Sequence, residues 1–397
     1  MTSRERIAAA LRHEQPDRVP VDLGASESSG IMGVAYNRLK RHLGLGGRTR
    51  IYDLSQMIAK VEEPVLDLIG ADALPLLIEP RRWKAWTLQD GSPCEIAQGL
   101  EIVEHEGGWA VLREDGTPAA RCPAGGWYFD PVNPPLADAE RPSDIEAGIE
   151  HLERFDWPAY NDESYDDLAA KARCLHEETD RCVVGNLWVH VFAAGQILRG
   201  FENFMVDLVS NKPLAHHLMG RLVDCYARRV ERYVEAVGKR VDIIQVNDDL
   251  GTQTGPQLSP ALYREMVKPY HARLWGLIKQ LSGKPLLLHS CGSIYALLPD
   301  LIEIGVDAIN PVQVSAANMD GALLKREFGR DLTFWGGGCD TQRVLGRGTP
   351  DEVRAEVRRR LDQFADGGGF VFCQVHNIQH DVPPENIIAM YEALGTV

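Results

Sequence analysis

Pro285-Leu286-Leu287-Leu288-His289-Ser290-Cys291-Gly292 decides the reading of this chain. A short apolar run that closes on serine and glycine reads as a buried strand giving way to a turn. The imidazole of His289 and the thiol of Cys291 stand two residues apart at its end. Alternate strand residues share a face, so both side chains can aim at one point. Neutral imidazole and thiolate are preferred ligands of zinc. A helical stretch over 293–304 follows.

The same strand-then-helix unit recurs on either side. Cys182-Val183-Val184-Gly185-Asn186-Leu187-Trp188 precedes helical sequence over 192–238, and Val241-Asp242-Ile243-Ile244-Gln245-Val246 precedes a helix starting after Ser259-Pro260. Asp307-Ala308-Ile309-Asn310-Pro311 precedes 322–328, and Leu332-Thr333-Phe334-Trp335 precedes 349–364, where Thr349-Pro350-Asp351-Glu352 is an N-terminal cap with proline at the first helical position. Phe370-Val371-Phe372-Cys373 precedes the helix over 384–394. With the N-terminal runs 17–24 and 73–78 the count of strands is eight. Eight strands alternating with helices predict an α/β fold of the (β/α)8 TIM-barrel class, as a single domain over 1–397. Helices are also predicted over 2–13, 36–43 and 57–69. Residues 82–130 differ in texture: Trp83, Trp86, Trp109 and Trp127 alternate with turn signals at Asp90-Gly91, Gly107-Gly108 and Asp115-Gly116. They predict an antiparallel β-hairpin insertion whose tryptophans pack it onto the barrel.

In a TIM barrel the catalytic residues sit at the C-terminal ends of the strands. Polar residues fall there repeatedly: Asn186, Asn247-Asp248-Asp249, His289-Ser290-Cys291, Asn310 with Gln313, Cys339-Asp340 and His376-Asn377. Further metal ligands are therefore on offer in Cys339, Cys373 and His376. Asp248 and Asp249 are candidates for acid–base work, substrate binding or orienting a ligand histidine. Adjacent carboxylates in extended chain point to opposite sides, so one of them faces the site, and the competing reading is a helix cap or a pair with a buried cation. Asn186, Asn247, Gln253, Asn310, Gln313 and Asn377 are candidate substrate-binding residues, and Tyr270 and Trp335 could supply an aromatic wall. No G-x-G-x-x-G follows a strand and no phosphate loop is present.

The chain has 397 residues, 44% of them hydrophobic, and a formal net charge of −15. Such a surface repels phosphate backbones and argues against nucleic-acid partners. No stretch approaches the ~18 consecutive apolar residues of a membrane span. The opening MTSRERIAAALRHEQPDRVP lacks the apolar core of a signal peptide, and eight cysteines in a chain this long do not make a disulfide framework. The expectation is a cytoplasmic protein with reduced thiols.

Asn247-Asp248-Asp249-Leu250-Gly251, Lys268-Pro269-Tyr270, His289-Ser290-Cys291-Gly292-Ser293, Glu303-Ile304-Gly305-Val306-Asp307, Asn310-Pro311-Val312-Gln313, Trp335-Gly336-Gly337 and His376-Asn377-Ile378-Gln379, in this order, resemble the uroporphyrinogen decarboxylase superfamily. The resemblance covers residue 182 onward best and implies a (β/α)8 barrel. True decarboxylases of the superfamily bind a polycarboxylate tetrapyrrole with arginines of an N-terminal loop, without metal. Here no arginine lies between Arg18 and Arg38, and the loop Gly24-Ala25-Ser26-Glu27-Ser28-Ser29-Gly30 carries an acid. The other branch, the corrinoid-dependent methyltransferases, resembles this chain more in character. It implies a zinc site built from His289 and Cys291, with His376 placed where those enzymes have cysteine and Cys339 as a fourth ligand. It further implies a small methyl donor or acceptor, a corrinoid (cobalamin) carried by a partner protein, and a homodimer. The zinc would stabilise a thiolate or phenoxide that gives or takes the methyl group. A metal-free decarboxylase and a non-catalytic barrel that binds zinc or a small ligand remain the alternatives.

Overall fold

The computed structural model describes residues 1–113, 115–154 and 163–397. Its centre is a curled sheet of seven parallel strands: β1 (Ala73–Leu76), β2 (Cys182–Asn186), β3 (Ile243–Asn247), β4 (Leu286–His289), β5 (Ala308–Asn310), β6 (Thr333–Trp335) and β7 (Phe370–Val371). Each pairs with its predecessor in chain order, as in Val184 opposite Ile243, Val246 opposite Leu288 and His289 opposite Asn310. Helices follow the strands, among them Phe192–Arg199, Lys212–Val237, Lys268–Ser282 and Pro350–Phe364. The arrangement is TIM-barrel-like.

The strand expected over 17–24 is reduced to a single parallel bridge, Val21 with Phe372. Pro20 has no N–H to give a ladder, and the Val21 N–H is taken by the Asp72 carboxylate at 2.8 Å. The segment nevertheless reaches both edges of the sheet. Asp22 N–H donates to Phe372 O at 2.8 Å, and Asp72 N–H donates to Val21 O at 2.7 Å.

The period of two along each strand divides the core. Val183, Ile244, Leu288, Ile309 and Phe334 face the helices, in one large cluster. Ala73, Val184, Ile243, Leu287, Ala308 and Trp335 face the other way, in a second and smaller one. Helix Ser3–Leu11 adds Ile7 and Ala10 to this inner cluster. It sits at the N-terminal ends of the strands, because Arg4 bonds Asp180 O and the Asp242 carboxylate while Ala10 O accepts from Gly369 N–H. The same inner face turns polar toward the opposite end: Val184 is followed by Asn186, Ile243 by Gln245 and Asn247, Leu287 by His289, Ala308 by Asn310. One end is thus sealed by apolar packing and the other is lined by groups that can bind or react.

Residues 83–122 form antiparallel pairs, Trp83–Thr87 with Pro93–Ala97 and Gly108–Leu112 between Ile102–His105 and Pro118–Cys122. The helix expected over 57–69 is confined to Glu63–Leu68, with Pro64 in its first turn. Upstream, Met57 takes φ of 56°, a turn conformation, and Ile58–Ala59 pairs with both Ile31–Met32 and Thr49–Asp53.

Candidate metal centre and the adjoining acidic pocket

His289 closes β4, Cys291 lies in the turn after it, and His376 follows β7. Their donor atoms all lie within 4.8 Å of one another. His289 Nε2 is 3.6 Å from Cys291 Sγ, and the two imidazoles meet edge to face with centroids 5.9 Å apart.

Each histidine is held from behind by an asparagine whose own orientation is fixed. Asn310 Nδ2 donates to Trp335 O at 3.0 Å, so its Oδ1 is the atom 3.0 Å from His289 Nδ1. Asn377 Nδ2 donates to Gln56 Oε1 at 3.0 Å, so its Oδ1 is the atom 3.1 Å from His376 Nδ1. An acceptor at Nδ1 places the proton there and leaves the Nε2 lone pair toward the group. Asp249 completes the surroundings: its Oδ1 accepts the Cys291 N–H at 2.8 Å and lies 3.7 Å from His289 Nε2. Burial, with Asp249 beside it, pushes the Cys291 thiol well above its ordinary range. Burial and the neighbouring His289 lower His376 to about 4, so it is neutral at pH 7. Two imidazoles, a thiol and a nearby carboxylate fit the donor preferences of zinc, with a coordination position left for a small molecule.

Beside His289 lies a pocket of about 140 Å³ that also exposes Glu27, Asp53, Trp188, Gln245 and Asn247. Glu27 and Asp53 are 8% and 4% exposed. Burial raises both carboxyls, and Asp53 adds its charge to lift Glu27 to about 7. Trp188 Nε1–H donates to Glu27 Oε1 at 3.2 Å. The hydroxyl of the next residue, Ser28, donates to Asn310 Oδ1, which ties the acidic loop to the histidine support.

Residues 166–397 match the family model described as Uroporphyrinogen decarboxylase (URO-D). The chain belongs to the URO-D family. Among curated proteins this URO-D chain is 31% identical over 192 residues to the uroporphyrinogen decarboxylase of Xanthomonas euvesicatoria pv. vesicatoria, covering 46% of this chain and 50% of that protein. It is 27% identical over 258 residues to that of Thermus thermophilus, covering 64% and 69% respectively. The chain spans about half the length of the first of these relatives. Among solved structures it resembles a methyltransferase from Methanosarcina mazei, with a TM-score of 0.61, 18% identity, and coverage of 100% of this chain and 98% of that one. That likeness establishes the shared fold.

The structure brings together His289, Cys291 and His376 of this URO-D chain, with Asp249, Asn310 and Asn377 around them. Cys339 does not join, which corrects its place as a fourth ligand: it is fully buried, and its charged neighbours Glu356 and Arg360 lie on helix Pro350–Phe364. Cys373 is buried beneath Asn310, whose Nδ2 lies 3.9 Å from its sulfur. Asp248 points away: its oxygens accept the N–H groups of Val191, Phe192 and Ala193 at 2.7–2.8 Å and lie 2.8 Å from His271 Nε2. Tyr270 is in the helix layer, its hydroxyl donating to His216 O at 3.0 Å. Trp335 is 1% exposed inside the barrel, donating to Asp22 Oδ2 at 2.8 Å. Neither aromatic forms a wall of the site. Gln313 accepts the Gly292 N–H at 2.7 Å and so shapes the turn that carries Cys291. Asn186 is buried, donating to Ala25 O at 3.2 Å, and Gln253 is exposed. Sequence reasoning missed Asp53, Gln56, Trp188 and Gln245 as parts of the site. The one available signal was Gln245, a polar residue inside an otherwise apolar strand.

Proposed function

We propose that this chain is a zinc-dependent methyltransferase on a (β/α)8 barrel, moving a methyl group between a small substrate and a corrinoid carried by a partner protein. The observation that supports it best is the group His289, Cys291 and His376 at the polar end of the sheet, with both imidazoles oriented by asparagine. Zinc bound there would supply positive charge that keeps a sulfur or oxygen nucleophile anionic at neutral pH. The chain's own residues do the rest. Asn310 and Asn377 set the tautomers, Asp249 and Gln313 hold the turn that presents Cys291, and the pocket beside His289 receives the substrate.

A second reading, decarboxylation of a polycarboxylate, draws on the curated relatives. The lining opposes it. Among the described residues no lysine or arginine borders the pocket at His289, and Arg18 is spent on Asp72 at 2.6 Å. Two buried carboxyl groups there would repel an anion.

The test is metal content of protein purified without added metal, for wild type and for Cys291→Ala and His376→Ala. The expected result is about one zinc per chain, lost in both variants. Methyl transfer to or from a corrinoid protein, abolished in the same variants, is the second expected result. Protein that takes up no zinc when zinc is supplied overturns the proposal.

A further inference from the structure

The pocket beside His289 is built around two carboxyl groups, Glu27 and Asp53, with His190 and His289 the other titratable groups that line it. Glu27 and Asp53 are both nearly buried, and among the described residues neither forms an ion pair with a lysine or arginine. Glu27 receives the Trp188 N–H at 3.2 Å and its own backbone N–H, and Asp53 receives the N–H and hydroxyl of Ser55 at 2.8 and 2.7 Å and the Gln56 N–H, all of them neutral donors. Buried carboxyl groups without a cation are costly, and a protein that retains two in one small pocket gains by placing a positive ligand between them.

An independent feature narrows the chemistry. Gln245 lines the same pocket and is 2% exposed. Its Nε2 donates to Asn247 Oδ1 at 2.9 Å, and its Oε1 is buried with no hydrogen-bond partner. A buried acceptor left empty in this way calls for a donor. A permanently methylated quaternary ammonium would answer the charge but not this oxygen. A protonated amine answers both, and Trp188 gives it an aromatic neighbour.

We propose that the pocket binds the ammonium end of a small amine, held by Glu27 and Asp53 with an N–H given to Gln245, while the other end of the same molecule reaches the His289–Cys291–His376 group. The substrate class is then a short bifunctional amine, such as an aminothiol or amino alcohol or its methylated form. The placement of its reactive end rests on the methyl-transfer reading above; the recognition of its ammonium end does not.

Three thiols of matched length separate these ideas: cysteamine, mercaptoethanol and mercaptoethanesulfonate, which end in an ammonium, a hydroxyl and a sulfonate. Binding of each is measured by calorimetry to the whole chain, with and without zinc. Cysteamine is expected to bind at least about tenfold tighter than either of the others, in line with the strength of charge-assisted hydrogen bonds. In Glu27→Gln and Asp53→Asn, both checked for folding by circular dichroism, the preference for cysteamine over mercaptoethanol should shrink. In Gln245→Leu it should shrink while zinc content is unchanged. Sulfonate binding as tight as cysteamine, no cysteamine binding at millimolar concentration, or a charge preference that survives in all three variants overturns the proposal. Cysteamine preference without any methyl transfer leaves this inference standing and removes the proposed function instead.

Discussion

Asn310 reads out which nitrogen of His289 is free. Its amide nitrogen is committed to Trp335 O, so its oxygen faces His289 Nδ1 at 3.0 Å and the Nε2 lone pair faces Cys291. An outer residue of this kind fixes both ring orientation and tautomer of a metal ligand. Replacing Asn310 by Leu is expected to weaken zinc binding by about 10–100-fold, the range for loss of such partners. Competition against a chromophoric chelator checks it. Unchanged affinity would mean that the ring is held by packing alone.

The protonation states of Cys291 and His376 predict what each gives up when zinc binds. Cys291 is held protonated by burial and by Asp249, whereas His376, lowered to about 4, is already neutral at pH 7. Zinc needs the thiolate, so binding at pH 7 should release about one proton, taken from Cys291. Calorimetry in buffers of different ionisation enthalpy measures this number directly. In Cys291→Ala the release should vanish along with most of the affinity.

How much of this was legible in the sequence follows from which physical signals are local. Periodicity and turn chemistry are local, and they gave the seven parallel strands and the strand ends that hold His289, Cys291 and His376. The first strand was over-read, because nothing in Val19-Pro20-Val21 shows that the Val21 N–H is claimed by Asp72, 51 residues away. Cys339 and His376 both follow a strand, and only the three-dimensional placement of each side chain separates a buried thiol outside the group from an imidazole within it. Asp53 and Gln56 were invisible for the same reason: they sit in a stretch read as the approach to a helix, and reach the site through the pairing of Thr49–Asp53 with Ile58–Ala59.

Glu27 makes stability depend on pH in a predictable sense. Its carboxyl is raised from the ordinary glutamate value to about 7 in the folded protein. A raised acid binds its proton more tightly when folded, so its contribution is fully present below the unfolded pKa and is lost as pH rises through about 7. By the linkage relation this one group would cost about 3 kcal/mol between those limits. Denaturant melts of wild type and Glu27→Gln should coincide below the unfolded pKa, diverge as pH rises from about 4.5 to about 7, and keep a constant gap above that, with the variant the more stable. An amine ligand should narrow the gap. Parallel profiles at all pH values would place the titration elsewhere.

The adjacent pair Asp248 and Asp249 predicts opposite phenotypes from neighbouring carboxylates. Asp248 is 1% exposed and satisfies the first N–H groups of helix Phe192–Arg199 together with His271. Burial alone would raise its carboxyl, but the hydrogen bond and charge of His271 and the Ala193 N–H more than offset that and hold it below the usual range. Asp248→Ala leaves those donors and the Nε2 of buried His271 unpaired, and should cost about 3–5 kcal/mol in a denaturant melt. Asp249 is half exposed on its side chain, and its carboxylate meets the Cys291 N–H, the Cys291 thiol and the edge of His289. Asp249→Asn should therefore leave the melt within about 0.5 kcal/mol of wild type. Its effect should fall on the thiol, since removing the charge beside Cys291 lowers the sulfur's pKa and moves the pH profile of zinc uptake to lower pH. A large loss of stability in Asp249→Asn, or none in Asp248→Ala, would reverse the assignment of the two roles.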